Sequence, residues 1–435
     1  MAKGTFLVPL IILCASIFAE GQSRWVELVV NKNQDKIYPE KEPSVARVSE
    51  EASPIPRYDP CAWTDKKGGI WLYGGIGQDI NSQWGTFQDL WYLNSKDKKW
   101  VTVKGTANVT TNAGTESSGW PVGRRDAATW TDKKGNLWLY GGRSTGDYYH
   151  LDDLWEFNLK STAWINHSDG IKINEKPKHA SKPSFESVGV PGSRSGSVTW
   201  IDNKGDLWLF GGFSNTNKED SIECYNDLWR FDISKNIWYN VKGNLSDNLL
   251  NDSTTVERGE DILPSGRYNA AGWFDEKQKQ LWIYGGIGYG TSARQFGGLS
   301  DMWVYDLSKN LWQCVIKEFR INAEFNIGTA EQPSPKNNPG KRVKPTRWID
   351  KKGNLFLMGG HNNFFLQNRF FDEFVWKFDT DRRMWSIVPD VPAVGIGGGE
   401  TFTDAAGEVY MFGGLEYQRK DAKSQSVNKI FKFEN

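Results

Sequence analysis

The sequence predicts an all-β fold, a six-bladed β-propeller, and three periodic features carry that expectation. A diglycine that closes an apolar strand recurs six times, with its first residue at Gly74, Gly141, Gly211, Gly285, Gly359 and Gly413. An aromatic residue precedes each pair by 11 positions, at Trp63, Trp130, Trp200, Trp348 and Phe402, or by 12 at Trp273. Downstream, two aromatics nine residues apart follow in five units: Trp91 and Trp100, Trp155 and Trp164, Trp229 and Trp238, Trp303 and Trp312, Trp376 and Trp385. Each unit therefore reads as four strands. An inner strand and a polar turn such as Thr64-Asp65-Lys66-Lys67-Gly68 lead to a strand ending at the glycine pair, and a second hairpin holds the paired aromatics. A four-stranded sheet cannot bury both faces alone, whereas six of them stacked about an axis bury each aromatic face against the next.

Taken in chain order, residues 1–21 read as a secretory signal: Lys3, an apolar run from Thr5 to Ala19, then Glu20. Residues 22–435 read as one propeller, with a closing strand at 22–30, a loop at 31–56 and six repeats over 57–435. The sixth unit reaches its third strand at Lys429-Ile430-Phe431-Lys432-Phe433 and has no fourth before Asn435. Trp25-Val26-Glu27-Leu28-Val29 reads like the fourth strand Trp100-Val101-Thr102-Val103, and Trp25 stands 32 residues before Arg57, close to the 24 to 30 of the interior units. The chain ends are thus expected to share the last blade, which removes an exposed sheet edge.

Composition narrows the function. Lys plus Arg and Asp plus Glu both number 53, so no wide single-sign field exists to hold nucleic acid. Twenty-two Trp, 23 Phe and 15 Tyr against four His favour packing over a multi-histidine metal centre, and no cofactor is expected. No long apolar stretch beyond the first twenty residues suggests a membrane span. Behind the signal remain Cys61, Cys224 and Cys314, an odd count allowing one disulfide at most, with Cys224 and Cys314 the candidate pair. Glycosylation sequons at Asn108, Asn166, Asn244 and Asn251 fit a secreted glycoprotein.

The pattern resembles the kelch repeat family, with an Arg near the inner strand, an aromatic before Gly-Gly, and Asp-Leu-Trp opening the third strand. The diglycines average about 68 residues apart, longer than the roughly 50 of a kelch unit, so the excess is assigned to loops. In an up-and-down blade the connections after the second and fourth strands share one face, which is where these long loops gather; a rigid scaffold with loops on one side is a common way to build a binding site.

Arg57, Arg124, Arg194, Arg267 and Arg342 each lie six residues before the inner-strand aromatic, and Ile396 takes that position in the sixth unit. Placed at the channel mouth, the guanidinium groups are candidate ligands for carboxylate, sulfate or sugar hydroxyls; the kelch resemblance implies such use on acidic peptides. Asp89, Asp153, Asp227 and Asp301 open the third strands on the same face, so structural Arg–Asp pairing is the competing reading. Trp84, Tyr148, Tyr149, Tyr225, Tyr289 and Phe364 are the candidate loop aromatics for an interface. The expectation is a monomeric, secreted binding module for an extracellular protein or glycan. The alternatives are a carbohydrate-active enzyme on the same scaffold, galactose-oxidase-like or mutarotase/epimerase-like, and a matrix component. For the enzyme, Glu223, Asp147, Asp372 and Glu373 are the loop carboxylates available as acid–base groups, with His150 and His361 in loops after second strands.

Overall fold

A computed structural model describes residues 24–28, 53–94, 99–105, 108–110, 119–145, 149–215, 222–243, 262–290, 295–360, 374–389, 396–397, 400–403, 409–412, 415–418, 423–426 and 430–434. Among these, regular structure is entirely strand, and no helix is long and apolar enough to cross a membrane.

Six four-stranded antiparallel sheets follow one another along the chain. Sheet 1 holds Cys61–Thr64, Ile70–Tyr73, Leu90–Leu93 and Trp100–Lys104. Sheet 2 holds Ala128–Thr131, Leu137–Tyr140, Leu154–Asn158 and Ala163–Asn166. Sheet 3 holds Val198–Ile201, Leu207–Phe210, Leu228–Asp232 and Ile237–Lys242. Sheet 4 holds Ala271–Asp275, Gln280–Tyr284, Met302–Asp306 and Leu311–Ile316. Sheet 5 holds Thr346–Ile349, Leu355–Met358, Val375–Asp379 and Met384–Val388. Sheet 6 joins Glu400–Thr403, Val409–Phe412 and Ile430–Glu434 to the N-terminal strand Arg24–Leu28, with Trp25 opposite Phe433. The first strands touch in the order 1, 2, 3, 4, 5, 6 and back to 1.

Burial explains the aromatic periods. Second strands such as Ile70–Tyr73 and Leu137–Tyr140 are buried at every residue, because each lies inside its sheet with a neighbouring sheet on either face. The aromatics nine apart meet across the third and fourth strands: Trp91 and Trp100, like Trp155 and Trp164, pack edge to face. Adjacent sheets are tied by indole hydrogen bonds, since Trp63 Nε1 donates to Trp138 O and Trp130 Nε1 to Trp208 O, both at 2.9 Å.

The glycine pair answers to a specific neighbour. Gly74 and Gly75 have φ of 67° and 91°, and a Cβ on Gly74 would stand 2.3 Å from Arg124 O of the next sheet. That carbonyl instead accepts from Gly75 N at 2.9 Å.

The long connections are partly ordered into small sheets of their own. Ile76–Gln78, Trp84–Phe87 and Val109–Thr110 form one, Arg267–Tyr268, Ile287–Tyr289 and Phe296–Gly298 another. Other stretches cover sheet edges: residues 184–190 lie along the fourth strand of sheet 3, where Asn240 N donates to Ser187 O at 2.7 Å and Gly189 N to Trp238 O at 3.2 Å. The candidate pair Cys224 and Cys314 is not joined; both are separate buried thiols, as is Cys61, one in a connection of sheet 3 and the other in the fourth strand of sheet 4.

Candidate functional site

The five arginines lie where the first strands begin, and four of them build a repeated clamp. Arg124 Nη1 donates to Gly141 O at 2.9 Å and to Asp153 Oδ1 at 2.6 Å, Nη2 to Asp153 Oδ2 at 2.7 Å, and Nε to Val122 O at 3.0 Å. Arg57 with Asp89, Arg194 with Asp227 and Arg267 with Asp301 repeat the bidentate pair and the bond to the first glycine carbonyl. The Asp-x-Trp spacing has its cause here too. Trp91, Trp155 and Trp303 Nε1 donate to the aspartate two residues back, at 2.7, 2.5 and 2.6 Å. In sheet 3, His179 Nε2 takes that place 2.8 Å from Asp227. Burial alone would raise the Asp227 carboxyl, but Arg194 and His179 outweigh it and hold it well below the usual carboxylate range.

All four clamp arginines are 0–1% exposed, and Arg342, 1% exposed, donates to Lys341 O at 3.3 Å. As folded, these groups are spent inside the protein, the geometry of the pairing reading rather than of an open cationic ring. The charges nearer the middle of the circle come from the positions immediately around them. Asp59, Asp126, Gly196, Asn269 and Lys344, each two residues after an arginine, adopt φ of 49–67°. They are linked in series by backbone hydrogen bonds: Asp126 N to Asp59 O, Gly196 N to Asp126 O, Asn269 N to Gly196 O, and Lys344 N to Asn269 O. From this collar Lys344 Nζ reaches 2.5 Å from Asp59 Oδ1 and 3.0 Å from Asp126 Oδ1, joining sheet 5 to sheets 1 and 2. Sheet 5 adjoins neither, so this ammonium spans the centre. Arg125 approaches Asp59 at 3.6 Å and Arg143 approaches Asp126 at 3.3 Å. Burial would raise the Asp59 carboxyl, yet Lys344 and Arg125 hold it well below the usual range.

Beside this cluster His150 is fully buried, with Nδ1 3.3 Å from Ser195 Oγ and its ring edge-on to Phe213. Its Nε2 has no hydrogen-bond partner among the described residues. Burial, then Arg143 and Arg125, push its pKa well down, so it is neutral at pH 7.

The candidate aromatics separate sharply. Trp84 is 55% exposed and lies against Tyr58, over which the Arg125 guanidinium sits at 5.9 Å, and Tyr149 is 42% exposed. Tyr225 is buried beneath Arg194 with its hydroxyl 2.5 Å from Ser214 Oγ, and Tyr289 is half-buried, donating to Ile222 O at 3.1 Å. Tyr148, Phe364, Asn244 and Asn251 lie outside the described residues. Asn108 is exposed and Asn166 half-buried. Among the described residues no three His, Cys, Asp or Glu side chains gather as metal ligands. Lys344 escaped notice in the sequence, although its place two residues after Arg342 matches Asp59 and Asp126; what was invisible is that all three meet.

Repeated sheets joined by an arginine, a glycine pair and an aspartate define a kelch-type β-propeller. A model described as the KLHDC2/KLHL20/DRC7 Kelch-repeats domain matches residues 40–243 and 114–315. The chain belongs to the kelch-repeat family. Mei4-dependent protein 6 of Schizosaccharomyces pombe is 23% identical over 197 residues, 44% of this chain and 23% of that protein. N-acetylneuraminate epimerase of Salmonella typhimurium is 27% identical over 154 residues, 33% of this chain and 39% of that enzyme. The chain therefore spans well under half the length of either relative. Kelch repeats mark a protein-interaction module.

Proposed function

We propose that this protein is a secreted six-bladed kelch propeller, closed by strand Arg24–Leu28, that binds an extracellular protein through its long-loop face. The closure reading is supported by the circular order of first-strand contacts and by the Trp25–Phe433 register. The single observation that carries the binding reading is Trp84, a large ring left half in solvent above Tyr58 and the Arg125–Asp59–Lys344 cluster. An exposed aromatic anchor beside buried, oriented charge is how interface hot spots are built. A glycan stacked on Trp84 and Tyr149 is the variant of this reading for the same face. The test is capture of extracellular proteins and a glycan array with the intact chain, then with Trp84→Ala and Tyr149→Ala. Binding that falls at least about tenfold with unchanged melting supports the reading; binding unchanged in both variants refutes it.

The second reading is a sugar mutarotase or epimerase. It is favoured by the partial likeness to N-acetylneuraminate epimerase and by neutral, buried His150, an available proton acceptor near the charged centre. Anomer exchange of N-acetylneuraminate followed by proton NMR, lost in His150→Ala, would support it. A galactose-oxidase-like copper site and a matrix-assembly role have no comparable support.

A further inference from the structure

The face opposite the long loops has a charge layout that the protein's zero net charge conceals. Each of the five described first-to-second-strand hairpins opens with an aspartate whose carboxylate accepts backbone amides of its own turn. Asp65 Oδ1 accepts from Lys67 N and Gly69 N, and Oδ2 accepts from Trp71 Nε1 at 3.1 Å. Asp132 and Asp202 receive Trp138 and Trp208 in the same way. What the hairpins present outward is lysine: Lys66 and Lys67 in sheet 1, Lys133 and Lys134 in sheet 2, and Lys204 in sheet 3, all exposed. The series continues with exposed Lys277 and Lys279 in sheet 4 and Lys351 and Lys352 in sheet 5. Against these nine lysines the five hairpins hold seven carboxylates: the five opening aspartates, Asp206, which is buried and paired with Arg230, and the exposed Glu276.

The hairpins are also tied edge to edge. Lys66 Nζ donates to Lys133 O, Lys133 Nζ to Asn203 O, Asn203 Nδ2 to Glu276 O and Lys277 Nζ to Lys351 O. The cationic arc is therefore a fixed surface. At its edge, between sheets 3 and 4, a cavity of about 400 Å³ opens beside Lys204 and Lys279, with Phe185, Phe274 and Leu307 as apolar walls over the buried Trp208 and Arg230 at its side. In sheets 1 and 2 the corresponding indole is covered by Tyr92 on Trp71 at 4.7 Å and His167 on Trp138 at 4.6 Å, and in sheet 3 Phe185 covers Trp208 edge-on at 6.0 Å. In sheet 3 the residue paired across from Trp208 is Arg230, drawn away to Asp206 at 3.0 Å and Phe185 O at 2.8 Å.

We propose that this short-turn face binds an acidic polysaccharide, its sulfate or carboxylate groups on the lysine arc and one sugar ring in the cavity against the half-buried Phe185 and Phe274. The site is independent of the long-loop face. Aromatic walls suit the C–H face of a sugar, and the volume falls in the range of roughly 300–1,000 Å³ used for small ligands. A membrane is disfavoured because none of the exposed large apolar side chains lies in these hairpins, and nucleic acid because none of the exposed aromatics does.

The test is fluorescence titration of the intact chain with a labelled heparin decasaccharide at low and physiological salt. Lys134→Glu, Lys204→Glu and Lys352→Glu together should weaken binding at least about tenfold, and the same three changed to Gln somewhat less, with melting unchanged. Trp84→Ala should have no effect, which separates this site from the long-loop face. Binding within twofold for both triple variants would overturn the proposal. So would equal or tighter affinity for a single-stranded oligonucleotide, polyphosphate or phosphatidylserine vesicles, which would assign the face to another polyanion.

Discussion

Arg124→Ala distinguishes a clamp from a ligand site, because the two roles predict opposite readouts. The guanidinium is fully buried and makes four hydrogen bonds, two of them to Asp153. Removing it strands a buried carboxylate whose remaining side-chain donor is Trp155 Nε1 at 2.5 Å, and frees the carbonyls of Gly141 and Val122. Breaking one side of a buried, hydrogen-bonded pair costs about 3–5 kcal/mol. With an unfolding entropy of about 2.1 cal/mol/K per residue over about 400 residues, that is a fall of roughly 4–6 °C in melting temperature. The double variant Arg124→Met/Asp153→Leu removes both charges and should recover most of the loss, since apolar replacement of a whole buried pair is often near neutral. Scanning calorimetry at pH 7.5, with urea titration where unfolding is reversible, reads both. A loss under about 1 kcal/mol in Arg124→Ala, or a double variant as unstable as the single, would refute the clamp.

Other consequences are smaller to state. Trp25→Ala, which removes the ring packed at 5.5 Å on Trp348 and 5.2 Å on Phe433, should cost about 3–5 kcal/mol and promote aggregation, as should deletion of residues 22–30; unchanged cooperative unfolding would remove the terminal strand from the closure. Burial raises the Asp152 carboxyl to about 6, above its unfolded value, so its ionisation weakens the fold as pH rises from about 4 to 6; Asp152→Asn should stabilise by about 1–2 kcal/mol at pH 7.5, allowing for its partial exposure, with the gain gone below pH 4. Asp59 has the opposite sign, its depressed pKa contributing stability above about pH 4 that is lost as pH falls through the folded value. Lys344→Met should therefore destabilise by about 2–4 kcal/mol at pH 7, and its melting curve should converge on the parent's in acid; a constant difference across that range would refute the Lys344–Asp59 coupling.

The repeat was legible because a packed sheet must alternate and a ring must repeat: aromatic spacing, turn chemistry and glycine pairs are local, and each is legible in one unit. The same holds for the pairing of Arg124 with Asp153, whose positions recur together in four units and are absent together at Ile396 and Lys429, while the fifth keeps Arg342 with Phe374 in the aspartate's place. What tertiary structure alone decided is which groups face whom. Tyr225 and Trp84 look alike in the sequence, yet one is roofed by Arg194 and the other is left in solvent. Lys344 becomes central only when sheets far apart in the chain converge, and the lysine arc appears only when five turns, each nearly balanced in charge, fold their aspartates back onto their own backbone, three of them against an indole, and leave their ammonium groups outside. Composition sums charge over the chain, whereas folding sorts it by radius and face, and recognition responds to the sorted arrangement.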